Sequence, residues 1–154
     1  MREGLEFEGP VQSDTAAVWP AVEALFQAGI EVHCLCDLTR GGLSSALNEI
    51  ASVAHLRITV DEGLIPLSDV VRGACELLGL DPLYVPNEGR FVAFVPQRDA
   101  DRALAILRSQ TVSAGAVQAG TIYEHSSGIV TLRSRIGGHR VLDMLSGEQL
   151  PRIC

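Results

Sequence analysis

Ile30-Glu31-Val32-His33-Cys34-Leu35-Cys36 leads into Asp37-Leu38-Thr39-Arg40-Gly41-Gly42 and then Leu43-Ser44-Ser45-Ala46-Leu47-Asn48-Glu49-Ile50-Ala51, and these three segments decide the fold class. The first is rich in β-formers and reads as a buried strand, with Val32, Cys34 and Cys36 on one face. The last keeps Leu43, Ala46, Leu47, Ile50, Ala51 and Ala54 at helical spacing, which predicts an amphipathic helix. Between them lies a turn with two adjacent glycines. Strand, glycine turn and helix together make a unit of a layered domain that mixes helices and strands.

The pattern continues on both sides. Upstream, Ser13 and Asp14 are good N-cap types ahead of a run in which Val18, Val22, Leu25 and Phe26 share a helical face, and Gly29 supplies a stop. Downstream, residues 56–61 alternate as a half-buried strand, and Ser68 or Asp69 can cap a helix running to about Leu78, ended by Gly79. Pro82 and Pro86 make residues 81–89 a loop in front of a strand, Arg90 to Val95. A helix is expected over 99–109 and strands over 116–123, 128–133 and 140–142. The expected fold class is α/β (α+β), a layered domain with a mixed sheet of five to seven strands flanked by three or four helices. One domain should span residues 1–145. Residues 146–154 read as a flexible tail, because Gly147 and Pro151 resist regular structure.

Composition removes several functions. All 12 basic residues are arginines, so any mechanism needing a lysine ammonium within these 154 residues is excluded. The net charge of -7 has the wrong sign for a general nucleic-acid binder. No apolar run reaches the ~18 residues of a spanning helix, and Glu3, Glu6 and Glu8 stand where a signal peptide would carry positive charge. No membrane partner is expected, and the localisation expected is cytoplasmic. Four cysteines, at 34, 36, 75 and 154, do not resemble a disulfide framework in a chain of this size. No metal site is expected either: His33 faces away from Cys34 and Cys36 on a strand, and no second pair completes four ligands.

Three features carry candidate chemistry. In the turn Asp37-Leu38-Thr39-Arg40-Gly41-Gly42 the glycines either let a substrate approach the backbone at a helix N-terminus or simply make a tight turn, and spacing leaves both open. On the first reading Arg40 is the anion partner, with Asn48 and Glu49 the next polar groups along the helix. Asn87-Glu88-Gly89 forms a second polar turn at a strand start. Cys154 is the last residue, and a thiolate on an arm can move between sites. The stretch from Gly147 onward spans at most about 25 Å, enough to cross a small domain.

The ending Pro151-Arg152-Ile153-Cys154, preceded by Asp143-Met144-Leu145-Ser146-Gly147-Glu148-Gln149-Leu150, closely resembles the C-terminus of the HypE family of nickel-iron hydrogenase maturation proteins. Ser13-Asp14, Asp37 to Leu43, Leu47-Asn48-Glu49-Ile50-Ala51 and Asn87-Glu88-Gly89 fall in the order of that family, and the resemblance covers almost the whole chain. The glycine turns are similar to those of the wider aminoimidazole ribonucleotide synthetase superfamily.

The resemblance implies a carrier enzyme, a carbamoyl dehydratase. Its terminal cysteine, here Cys154, accepts a carbamoyl group from the carbamoyltransferase HypF, and ATP-dependent dehydration gives a thiocyanate. The cyano group passes to iron held by HypC and HypD. Glu88 matches the family position of the base. Asp37, Thr39, Arg40, Gly41, Gly42, Asn48, Glu49, Asn87 and Gly89 become substrate- or nucleotide-proximal candidates, and Pro151, Arg152 and Ile153 the tail motif. Family members are about twice this length; their N-terminal half supplies the lysine, most of the ATP and Mg2+ binding and much of a homodimer contact. The chain therefore corresponds to the C-terminal half, expected to be inactive alone and to bind no cofactor tightly. The competing expectations are a partner-docking module and another nucleotide-using member of the superfamily.

Overall fold

A computed structural model describes residues 13–124 and 127–144. The expected tail, with Pro151, Arg152, Ile153 and Cys154, lies outside the described residues. In chain order the elements are α1 (Trp19–Gln27), β1 (Cys34–Leu38), α2 (Gly42–Ala54), β2 (Arg57–Asp61), α3 (Asp69–Leu78), β3 (Asn87–Phe94), α4 (Ala100–Ser109), β4 (Gly120–Tyr123), β5 (Val130–Arg133) and β6 (His139–Val141).

Helix boundaries follow local chemistry. Ser68 caps α3 by accepting from the Val71 amide at 3.3 Å, and Gly79 ends it in the left-handed conformation at φ 66°. Gly29, at φ 68°, closes α1. The start of α1 differs from expectation, because neither Ser13 nor Asp14 caps it. The helix begins five residues after Asp14, at Trp19, with a proline in its first turn and Val18 as a cap that makes no side-chain bond.

The strands divide between two sheets. β1 pairs antiparallel with β3, while the other four form a mixed sheet in the order β4-β2-β5-β6. Within it β2 and β5 are parallel, and the other pairings are antiparallel. β1 begins at Cys34 rather than Ile30 and is half-buried rather than buried, since a two-stranded sheet leaves each strand an open edge. β3 begins at Asn87, so the expected polar turn 87–89 lies within a strand.

Alternation builds the main core. Ile58 and Val60 stand opposite Val130 and Leu132 across the parallel pair, and all four side chains are buried against Leu47 and Ala51 of α2, with Leu83, Phe94 and Leu142. Burying such a side chain contributes roughly 1.5–3 kcal/mol, so α2 is held chiefly by this contact. A second cluster, Leu25, Ile30 and Ala103, joins α1 and α4, with Val32, Ala93 and Val95 packed on it. The β1–β3 pair contributes to both clusters, and the turn leaving β1 is thereby fixed against α2.

Candidate functional site

The site begins where β1 and β3 lose register. Asp37 pairs with Phe91, but the next residue, Leu38, pairs with Asn87. Glu88, Gly89 and Arg90 therefore stand between the partners of two consecutive β1 residues and bulge out of the ladder. A bulge re-aims the side chains it carries. This one is pinned on both sides: the Glu88 amide donates to Asp14 Oδ2 at 3.1 Å, and Arg90 donates to the Pro66 carbonyl at 3.0 Å. Gly89 has to be glycine, because a Cβ there would lie 1.8 Å from the Asp14 carbonyl oxygen. The Glu88 residue itself is exposed. Asn87 donates to the Val85 carbonyl at 3.0 Å.

The pairing of Leu38 with Asn87 brings the two polar motifs together, since Thr39 and Arg40 follow Leu38 directly. Asp37 Oδ1 accepts from the Thr39 amide at 3.3 Å and from its hydroxyl at 2.8 Å, which closes the turn. Gly41 and Gly42 both have positive φ, at 63° and 61°. The open side of Gly42 faces chain rather than solvent: a Cβ there would meet the Leu83 and Val85 carbonyl oxygens at 2.7 Å. Close approach of residues 83–85 thus accounts for the second glycine.

Cys36, Asp37, Thr39, Arg40, Ala46 and Glu49 line a cavity of about 250 Å³. The Arg40 guanidinium forms no ion pair among the described residues. It shares the cavity with the carboxyls of Asp37 and Glu49, so an incoming anion meets one positive charge and two negative ones. Burial, then the Asp37 carboxylate, then Cys34 and Glu49, push the Cys36 thiol above its ordinary pKa. This keeps it a thiol at neutral pH. A larger cleft of about 540 Å³ runs between β3 and β4, but among the described residues Arg90 is the one charged side chain lining it, and none of them offers it a carboxylate or an imidazole.

The Asn48 amide nitrogen is engaged within the chain. It donates to the Ser44 carbonyl at 2.9 Å and to the Leu142 carbonyl at 2.8 Å. Ser44 and Tyr84 were not singled out in the sequence, yet both donate from their hydroxyls to the Asp143 carbonyl at 2.9 Å. The available signal was the Ser44/Asn48 spacing of four on one helix face. Cys36 stands at the cavity wall rather than inside a buried strand, because β1 is only half covered.

Residues 1–133 match the model of the AIR synthase related protein, C-terminal domain. The chain belongs to that family. This AIR synthase-related domain is 46% identical over 153 residues to the carbamoyl dehydratase HypE of Rhodobacter capsulatus, covering 99% of this chain and 45% of that protein. It spans about half the length of the curated relatives it matches. The crystal structure of hydrogenase maturation protein HypE superposes with a TM-score of 0.92 at 42% identity, over 99% of this chain and 50% of that one. HypE in complex with ATP gives 0.89 at 41% identity, over 99% and 47% of the two chains. The HypE–HypF complex gives 0.86 at 33% identity, over 94% and 47%.

Proposed function

We propose that this AIR synthase-related domain is the thiol-bearing half of an ATP-dependent carbamoyl dehydratase that makes cyanide ligands during nickel-iron hydrogenase maturation. The observation that carries the reading is the Leu38–Asn87 register, which sets the bulged Glu88 beside the Asp37–Gly42 turn in a chain 46% identical to a carbamoyl dehydratase over nearly its full length.

The chemistry proposed is as follows. The Cys154 sulfur carries a carbamoyl group as a thiocarbamate. Its oxygen attacks the γ-phosphorus of ATP, ADP leaves, and one nitrogen proton is lost to a base. The resulting carbon–oxygen bond then breaks, phosphate departs with that oxygen, and loss of the second nitrogen proton leaves a thiocyanate on sulfur. Phosphorylation is needed because an amide oxygen is a poor leaving group, and the base lowers the barrier to nitrogen deprotonation. Glu88 is assigned as that base, held out of the ladder by the bulge. Arg40 and Thr39 are assigned to the nucleotide-proximal side.

With two carboxylates beside Arg40, the cavity alone is a poor anion site, which supports placing most of the nucleotide contacts in the portion of the relatives that this chain does not span. Among the described residues, no group of three or more His, Cys, Asp or Glu side chains is arranged to hold a metal ion. The Mg2+ that accompanies ATP is assigned mostly to the portion of the relatives that this chain does not span. The proposed partners are a HypF-type carbamoyltransferase, supported by the HypE–HypF complex, an iron-bearing HypC–HypD acceptor, and a second copy of the intact protein. No helix among the described residues is long and apolar enough to cross a membrane.

The test is intact-mass analysis of the intact protein with carbamoyltransferase, carbamoyl phosphate and ATP. A carbamoyl adduct on Cys154, followed by loss of one water with ATP present, is expected. Absence of any adduct, or an adduct that survives Cys154→Ala, sinks the reading.

A further inference from the structure

β6 ends at Val141, and the last ladder bond runs from the Leu142 amide to the Val130 carbonyl at 2.9 Å. Beyond it, no strand among the described residues bonds the Leu142 and Asp143 carbonyls. Three side chains take them instead, two from α2 and one, Tyr84, from the segment that precedes β3. Asn48 donates to Leu142, and Ser44 and Tyr84 both donate to Asp143. Ser44 is fully buried, and Leu142 is among the most buried side chains of the core. A buried hydroxyl needs a partner, and here that partner is the Asp143 carbonyl.

We propose that Ser44, Asn48 and Tyr84 are positioning residues that fix the origin of the C-terminal arm carrying Cys154. The inference rests on the reading above that Cys154 bears the reacting group. Cys154 lies eleven positions beyond Asp143, so the thiol can act no farther than about 36–40 Å from this anchor. Moving the origin changes both the length of the tether and the direction in which it leaves, and hence the effective concentration of the thiol at any one site. The anchor also has a fixed relation to the polar cavity. Ala46 and Glu49, which line that cavity, lie on the same helix as Ser44 and Asn48. A single rigid element thus sets the distance between the arm's root and the Arg40 pocket.

The intact protein tests this with Tyr84→Phe and with Ser44→Ala/Tyr84→Phe, which frees the Asp143 carbonyl. Partner-delivered carbamoylation of Cys154 should proceed at the wild-type rate, while the following on-chain dehydration slows about threefold in the double variant. Amide exchange at residues 142–144, next to the anchored carbonyls, should quicken. Wild-type dehydration and exchange in the double variant overturn the anchor, and so does equal slowing of both steps, which would mark a general loss of integrity. If the double variant unfolds, Tyr84→Phe decides alone, because its hydroxyl lies on a half-buried side chain. If the wild type accepts no carbamoyl group, the functional reading fails instead, and the anchor is judged by amide exchange.

Discussion

The backbone nitrogen of Glu88 donates to Asp14 Oδ2 at 3.1 Å, a contact between residues 74 apart in the chain. Asp14 therefore acts as the outer wall of the β3 bulge. Asp14→Ala should cost about 0.5–1.5 kcal/mol, the net worth of one such bond, in urea unfolding. In the intact protein it should slow dehydration while leaving adduct formation on Cys154 intact. Unchanged stability together with unchanged dehydration would show that the bulge stands without it.

Glu88→Gln keeps the shape of the side chain and removes its basicity. As general base it should account for about 10²–10⁴ in the rate of on-chain dehydration. The variant should accumulate the carbamoylated thiol by mass spectrometry, and rapid formation of thiocyanate would exclude Glu88 from the role.

Two glycines with the same left-handed backbone should respond differently to alanine. Gly29, at φ 68°, has nothing within 4 Å of an added Cβ, so Gly29→Ala should cost only the roughly 1–2 kcal/mol of that conformation. Gly42→Ala adds a 2.7 Å contact with the Leu83 and Val85 carbonyl oxygens and should cost clearly more. Equal losses in equilibrium unfolding would contradict the packing of residues 83–85 on the α2 N-terminus.

The hydrogen bond from Arg133, first, and the Gly63 amide, second, hold the Asp61 carboxyl below its ordinary pKa. Arg133 Nε lies 3.0 Å from Asp61 Oδ2 across the β2–β5 pair. A depressed folded-state value stabilises the protein above the unfolded carboxylate pKa of about 3.9, and that contribution is lost as pH falls through the folded value. Arg133→Met should therefore be less stable than wild type at neutral pH, with the gap narrowing below about pH 4. A gap that stays constant into strong acid would refute the pairing.

Cys36 should alkylate slowly at pH 8 in the folded protein and several-fold faster in urea, because burial is the largest cause of its raised pKa. Glu49→Gln should quicken the folded reaction modestly. Tandem mass spectrometry of the mapped peptides separates Cys36 from Cys34, Cys75 and Cys154, and equal folded and unfolded rates at Cys36 would remove it from the cavity wall.

Features set by a few neighbouring residues were legible in the chain. Ser68 and Gly79 bound α3 because capping bonds and left-handed conformations are local, and the Asp37–Gly42 turn was visible for the same reason. Asp14 was misread as a helix cap because its partner, Glu88, comes from a distant strand. The bond from Asn48 to the Leu142 carbonyl was not legible, because that partner lies 94 residues away.

The amino-acid sequence by itself determined the alternation of helices and strands, the lysine-free composition, the two glycine-bearing motifs and the terminal thiol, all of which depend on residue chemistry and short-range spacing. Only the tertiary structure decided that the strands divide into two sheets and that slippage between Asp37 and Leu38 pushes Glu88 out beside the glycine turn. It alone joined Ser44, Asn48 and Tyr84 on the Leu142 and Asp143 carbonyls. Periodicity reports which face of a strand is buried, whereas pairing and register are set by contacts between segments far apart in the chain.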